Sequence, residues 1–170
     1  MEFTMQHSNE KLIESFYIAF QHLDWQSMVG CYHPQAQFSD PVFGLLNAQE
    51  ATDMWHMLCV KAQDFELKYS HIHADETFGS ACCNVRYRFP QTERYVKNVI
   101  FAEFQFSEGK IIRHSAHFNF WRWSKSALGM RGLLLGWSGY LRRNVQQQAL
   151  TGLQRFSRKT NLRKDLENSI

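Results

Sequence analysis

A carboxylate set among apolar side chains at a forced bend is the first place in this chain where chemistry can be expected. The stretch Phe38-Ser39-Asp40-Pro41-Val42-Phe43-Gly44 has that form. Pro41 fixes its own φ and pushes Asp40 toward an extended conformation. Gly44 permits the turn that follows. Phe38, Val42 and Phe43 supply walls of low polarity. Two roles fit Asp40. It is a general base whose pKa desolvation raises, or it caps the Pro41 turn by accepting from nearby backbone amides.

A second candidate is His114, which alternates with Ala116, Phe118 and Phe120 and so shares one face of an extended segment with them. It can serve as the acid partner of Asp40 or as a donor to a ligand oxygen; the alternative is a buried histidine satisfied by a neighbour. Tyr17, Tyr32, Trp55 and Tyr87 carry polar handles on bulky rings. With 14 Phe and 5 Trp, the aromatic excess means either a bulky core or a cavity for an apolar or ring-shaped ligand. Phe16, Phe20, Phe43, Ala102, Phe104, Phe118 and Phe120 complete the expected lining. His71 and His73 face the same way on a strand, but no cysteine or carboxylate cluster supports them at zinc-type spacing. There is no Gly-rich phosphate loop. No metal or cofactor is expected.

Elements must hold these groups in place. Ser8-Asn9-Glu10-Lys11 forms an imperfect capping box before a first helix with apolar positions from Leu12 to Leu23. Asp24 caps a short second helix, stopped by His33-Pro34. Ala36 to Ser39 is extended and leads into the bend. Asn47 caps a third helix running to about Lys61. From Asp64 the period becomes two. Four long strands follow, built around Leu67, Val85, Ala102 and Ala116 and joined by short connections that imply antiparallel neighbours. Ser107-Glu108-Gly109-Lys110 is the turn between the last two. Each strand has one apolar face, and the three helices are available to cover it.

The C-terminal third reads differently. Gly129, Gly132, Gly136 and Gly139 interrupt an apolar stretch with Trp137 and several leucines. Leu141, Val145, Ala149, Leu153 and Phe156 then form a helical stripe. The segment 127–156 is a lid over the site, an interfacial membrane element or a helix docked on the sheet or on a second subunit; membrane contact is not favoured. Residues 157–170 are expected to fray, leaving residues 1–126 as the main domain.

Charge is unevenly spread. Residues 1–129 carry 11 Lys/Arg against 14 Asp/Glu, and residues 130–170 carry 8 against 2. The basic end lacks interleaved aromatic stacking platforms, so nucleic acid is not expected as a partner. Cys31, Cys59, Cys82 and Cys83 include no CxxC pair, and adjacent strand cysteines point to opposite faces. Four free thiols, with a polar N-terminus and no long apolar run, point to a cytoplasmic protein.

Three helices, an Asp-Pro bend and a curved sheet of long strands resemble the nuclear-transport-factor-2-like superfamily, which includes ketosteroid isomerases, SnoaL-like polyketide cyclases, small epoxide hydrolases and binding-only members. The resemblance covers about residues 8–123. It is carried by Asp24-Trp25…Met28-Val29…Tyr32-His33-Pro34-Gln35-Ala36, by the bend from Phe38 to Gly44, and by Phe106…Gly109-Lys110-Ile111-Ile112. It implies an α+β fold in which three N-terminal helices pack into a strongly curved, mainly antiparallel sheet forming a cone, with the C-terminal helix added. It implies an apolar small-molecule ligand and a homodimer through the outer sheet face, where Arg113, Ser115, His117 and Asn119 form an outward row.

The resemblance matches Asp40 to the isomerase general base. It also places Phe16 and Ala102 where that enzyme has its two oxyanion donors. Because oxyanion stabilisation is usually the largest catalytic contribution, the isomerase mechanism itself is not expected. The expected function is an isomerase, cyclase or lyase using Asp40 as base on an apolar substrate; the alternative is a non-catalytic protein that binds a lipid-like or ring-shaped ligand.

Overall fold

In the computed structural model, which describes residues 7–167, three helices precede and interrupt the start of a six-stranded curled sheet. The helices α1 (Ser8–Gln21), α2 (Trp25–Gly30) and α3 (Ala48–Lys61) frame two strands, β1 (Tyr32–Asp40) and β2 (Gly44–Leu46). Four longer strands follow: β3 (Glu66–Ala74), β4 (Phe78–Phe89), β5 (Arg94–Ser107) and β6 (Lys110–His117). Three more helices end the chain: α4 (Phe120–Leu128), α5 (Met130–Leu135) and α6 (Gly139–Glu167). The strand order is β2-β1-β6-β5-β4-β3, with β1 parallel to β6 and every other pair antiparallel. The expected α+β cone is therefore present, and the sheet does not close.

Local chemistry explains the boundaries. Asp24 and Asn47 cap α2 and α3 as their residue types predict. For α1 the cap is His7, paired with Glu10 in a reciprocal box, one residue earlier than expected. The strand around Ala36 begins at Tyr32. Its pairing to β6 lapses between Tyr32 and Gln37, which lets Pro34 sit in the strand without an N–H to give. The β5–β6 turn has positive φ at both Glu108 and Gly109, as a type I′ hairpin requires. A bulge between Ser70 and His73, with His71 at φ 54°, shifts the alternation of β3. It separates His71 from His73 in phase, and both are exposed.

Three expectations change at the C-terminal side. The strand expected to reach Phe120 stops at His117; Asn119 instead accepts from Arg122 N–H and starts α4. Phe120 thus leaves the strand face of His114, and Asn119 leaves the outward row. The apolar stretch read as irregular forms α4 and α5. They meet backbone to backbone: a Cβ on Gly132 would lie 1.9 Å from the Ser124 carbonyl oxygen. The last helix continues past the expected end at Phe156 to Glu167. Phe156 packs on His56, and Ser157 hydrogen-bonds Asp53 of α3, so this turn is anchored on the body. Residues 1–6 and 168–170, part of the expected tail, lie outside the described residues.

Gly132→Ala should destabilise the fold by about 2 kcal/mol or more, because backbone must move to admit a methyl group. Gly152→Ala in α6, where nothing lies within 4 Å, should stabilise by roughly 0.5–1 kcal/mol. Urea unfolding of the two variants checks the pair; equal effects would contradict the tight α4–α5 contact.

Candidate functional site

The cone interior is packed with rings. His114 on β6 is buried, and its ring is surrounded by Phe104 at 4.4 Å, Phe38 at 5.1 Å, Phe16 at 5.4 Å and Trp55 at 6.1 Å between centroids. Trp55 Nε1–H donates to the Tyr32 hydroxyl at 3.1 Å, and that hydroxyl lies 2.6 Å from His114 Nδ1. Since the tryptophan can only donate, Tyr32 is free to donate onward to Nδ1, which leaves the histidine proton on Nε2. Burial pushes the His114 pKa down to about 3 and that of Tyr32 well up. Tyr17 is buried beside Cys83 and stacks on Tyr69. Phe20 packs on Phe65 and Trp55. Ala102 is fully buried and faces Ala81 and Ala116 across the neighbouring strands, a small-residue belt over which the rings fit. Phe16, Tyr17, Phe20, Tyr32, Trp55, Ala102 and Phe104 are thus brought together, but as mutual packing.

Asp40 belongs to a different place. It ends β1 at the wide mouth of the cone. Its Oδ1 accepts from Val42 N–H at 2.8 Å and Phe43 N–H at 2.6 Å, so it does cap the Pro41 turn. The same carboxyl is hemmed in by apolar neighbours although the residue keeps some exposure. Desolvation raises its pKa to about 6 against the opposing pull of the backbone donors of Phe43, Val42 and Gly44. The cap weighed for Asp40 is therefore present, and the same carboxyl is desolvated. No hydrogen bond joins it to His114, whose Nδ1 is taken by the Tyr32 hydroxyl.

Tyr87 lies within electrostatic range of Asp40. Its hydroxyl accepts from Trp123 Nε1–H at 2.9 Å, which leaves the phenolic hydrogen free to donate. Burial raises its pKa to about 12, and the charge of Asp40 adds to the rise. Around these two groups Val96, Phe120, Trp123, Ala127 and Val145 form a second apolar cluster, with Val42, Phe89, Phe118 and Leu141 packed against it. Phe118 and Phe120 therefore belong to the mouth, and Phe43 to the main core beside it. Gly44, at φ 74°, lies directly under the Gln146 side chain of α6, so α6 covers the bend. Trp123 was missed in the sequence. It reads as part of an outer strand row and reaches the mouth only because a helix begins at Phe120.

Two concavities among the described residues lie outside the cone. One of about 300 Å³ is lined by Gln35, Gln37, Gln105, Ile112 and Arg113 on the outer sheet face. The other, about 270 Å³, lies between Val29, Tyr32, Pro34 and the start of α3. No group of three or more His, Cys, Asp or Glu side chains gathers for a metal among the described residues. The four cysteines are free.

Comparison with known proteins decides the family. The model of the SnoaL-like domain matches residues 13–114, more than half the chain. The chain belongs to the SnoaL-like domain family. No curated protein sequence matches it. Among solved structures, an LEH-like epoxide hydrolase of M. tuberculosis is similar at TM-score 0.61 and 17% identity, covering 75% of this chain and 92% of that one. A candidate SnoaL-like polyketide cyclase of Shewanella putrefaciens gives TM-score 0.60 at 10% identity, with 76% and 90% covered. TerC, crystallised with polyporic acid, gives 0.55 at 14% identity, with 66% and 92% covered. These likenesses establish the fold. The SnoaL-like match stops at His114, so α4–α6, which cover the mouth, lie beyond it.

A raised carboxyl pKa opposes folding once the group ionises. Asp40 favours the folded state below about pH 4, and that contribution is lost as the pH rises through about 6. The lowered His114 acts in the opposite sense: its contribution is full above about pH 6.5 and is lost as the pH falls toward 3. Asp40→Asn, which keeps an acceptor for the Val42 and Phe43 amides, should stabilise the protein at pH 8 by roughly 1–3 kcal/mol. The gain should vanish near pH 4. Urea titrations at both pH values check it; a gain that is the same at both would show that desolvation is not the cause.

Proposed function

We propose that this SnoaL-like protein binds a small apolar molecule at the cone mouth and that Asp40 removes a proton next to a carbonyl, with Tyr87 holding the carbonyl oxygen. The reading is supported by a desolvated carboxyl, pKa about 6, fixed at the bend by the Val42 and Phe43 amides, and by a buried neutral phenol within its electrostatic range that accepts from Trp123. A C–H bond breaks, its proton passes to Asp40, and the electron pair moves onto the oxygen. There the Tyr87 O–H stabilises the developing charge. Return of the proton to another carbon completes an isomerisation; attack by the enolate carbon on a second carbonyl of the same molecule, whose oxygen then takes the proton back from Asp40, completes a cyclisation. This supplies an oxyanion donor in place of the two that Phe16 and Ala102 cannot provide. Deeper rings set the floor of the site, and α6 must yield over Gly44 to admit a ligand. The family's small-molecule neighbours, among them one holding polyporic acid, support a ring-shaped ligand.

A second reading is favoured by the packed interior: the protein holds an apolar ligand at the mouth without chemistry. The two separate in one experiment, deuterium incorporation next to the carbonyl of an apolar cyclic ketone such as 2-decalone. Under the catalytic reading the rate rises with pH to about 6 and then levels, because the base is the ionised form. Asp40→Asn should lower it by about a hundredfold or more and Tyr87→Phe by about ten- to a hundredfold. Exchange unaffected by either change leaves the binding reading, which a mass-spectrometric search for co-purifying ligands then addresses.

The homodimer through the outer sheet face is also proposed. Tyr95, Val99 and Phe101 of β5 are exposed on that face beside the His117–Glu103 pair, which supports it. Sedimentation at tens of micromolar, roughly ten times a micromolar dissociation constant, should give twice the chain mass; a monomer would reject the interface.

A further inference from the structure

The C-terminal helices carry large exposed apolar side chains with basic side chains among them. Trp137 is 79% exposed, Met130 66%, Tyr140 65% and Leu134 62%. These residues lie on α5, on the short link after it and at the start of α6, so they form one end of the molecule. Arg122 and Lys125 on α4, Arg131 on α5, and Arg142 and Arg143 on α6 are all exposed, Lys125 lying over the Trp121 ring and Arg142 over the Phe120 ring. Among the described residues none of these five forms an ion pair. No acidic residue occurs between Glu108 and Asp165.

The exposed rings have a further property. Trp137 Nε1–H donates to the Leu134 carbonyl at 2.9 Å, and Trp121 Nε1–H to the Leu133 carbonyl at 3.2 Å. Their only polar atoms are satisfied within the segment, so the rings can leave water without stranding a donor. Large exposed apolar residues rimmed by unpaired positive charge fit the boundary between acyl chains and anionic headgroups. We propose that this end of the molecule docks on the surface of an anionic lipid bilayer, with Trp137, Leu134 and Met130 inserted and the arginines against phosphates. No helix among the described residues is long and apolar enough to cross a membrane; the contact is peripheral. A second copy of the chain is the poorer occupant, because two such ends bring like charges together. Nucleic acid is poorer too, since the exposed rings of Trp137 and Tyr140 stand among aliphatic side chains and Trp137 is tied by its Nε1–H to Leu134, with no series of stacking platforms.

Vesicle co-sedimentation of the full chain tests this. Binding is expected to vesicles of equal phosphatidylglycerol and phosphatidylcholine at 50 mM NaCl (a low-salt condition with little screening), and much less to phosphatidylcholine alone. Arg142→Gln with Arg143→Gln should weaken it about thirtyfold, from about 1 kcal/mol per basic residue near the surface. Trp137→Glu with Leu134→Glu should abolish it while leaving the thermal melt unchanged, since both side chains are exposed. Asp40→Asn should bind as the unaltered chain does, which separates this surface from the proposed chemistry. Three results would overturn the proposal: no binding to anionic vesicles, equal binding to neutral ones, or binding that survives Trp137→Glu with Leu134→Glu. A change of the sedimenting mass in that last variant would also overturn it, by assigning the surface to a second copy.

Discussion

The concave face of a curled, unclosed sheet must be dried, and most of this structure follows from how that is done. A cone has a narrow part and a wide mouth. In the narrow part α1 and α3 lay Phe16, Tyr17 and Trp55 against Phe38, Phe104 and His114, over a belt of three alanines. Rings of this size fill the space, and edge-to-face contacts such as Phe16–Tyr32 at 85° orient them. Three of the polar groups carried into this dry region form one chain: Trp55 donates to Tyr32, and Tyr32 serves His114. A neutral histidine held in this way is a structural element, because protonation would bury an unpaired charge.

The wide mouth cannot be filled from the same helices. It is closed by a second apolar cluster drawn from β5, α4 and α6. That division decides what Asp40 can be. At the bottom of the cone a carboxylate would have no water and little reason to ionise. At the mouth it keeps part of its hydration, takes two backbone amides on one oxygen, and still feels enough apolar surface to sit near pH 6. An ionisable group kept at a cost to stability is the usual mark of a site held for chemistry.

How much of this could be read from residues alone follows the range of the interactions. Caps, the Asp-Pro bend, the type I′ turn and the period-two strands depend on a few neighbouring residues, and Asp24, Asn47, Glu108-Gly109 and the parity of His114 and His117 are legible for that reason. The family pattern extended this to the cone. What failed depended on long-range contacts. A strand running on through Phe118 and Phe120 is a fair reading of alternation, yet Asn119 caps a helix whose Trp123 finds Tyr87, a residue 36 positions earlier. The inward parity of His114 suggested an acid partner for Asp40, whereas His114 Nδ1 is engaged by Tyr32 and the Asp40 carboxyl by the amides of its own turn. The length of α6 was hidden because the sequence after Phe156 is polar, while the turn at Phe156 and Ser157 is anchored on α3.

The link between Tyr87 and Trp123 ties the chemistry to the cover. Trp123 belongs to α4, which packs against α5 through Gly132 with no room to slide. α5 in turn leads into α6, whose Gln146 lies over Gly44 at the bend that holds Asp40. A displacement of this helical unit acts on both candidate groups together: it uncovers Asp40 and removes the donor that fills the Tyr87 oxygen. The exposed outer end of the same unit is where a bilayer surface would press. One run of helices thus carries Trp123 and Gln146 at the candidate site and the exposed Trp137, Met130 and Leu134 at its surface, so the proposed chemistry and the proposed bilayer contact would draw on the same element.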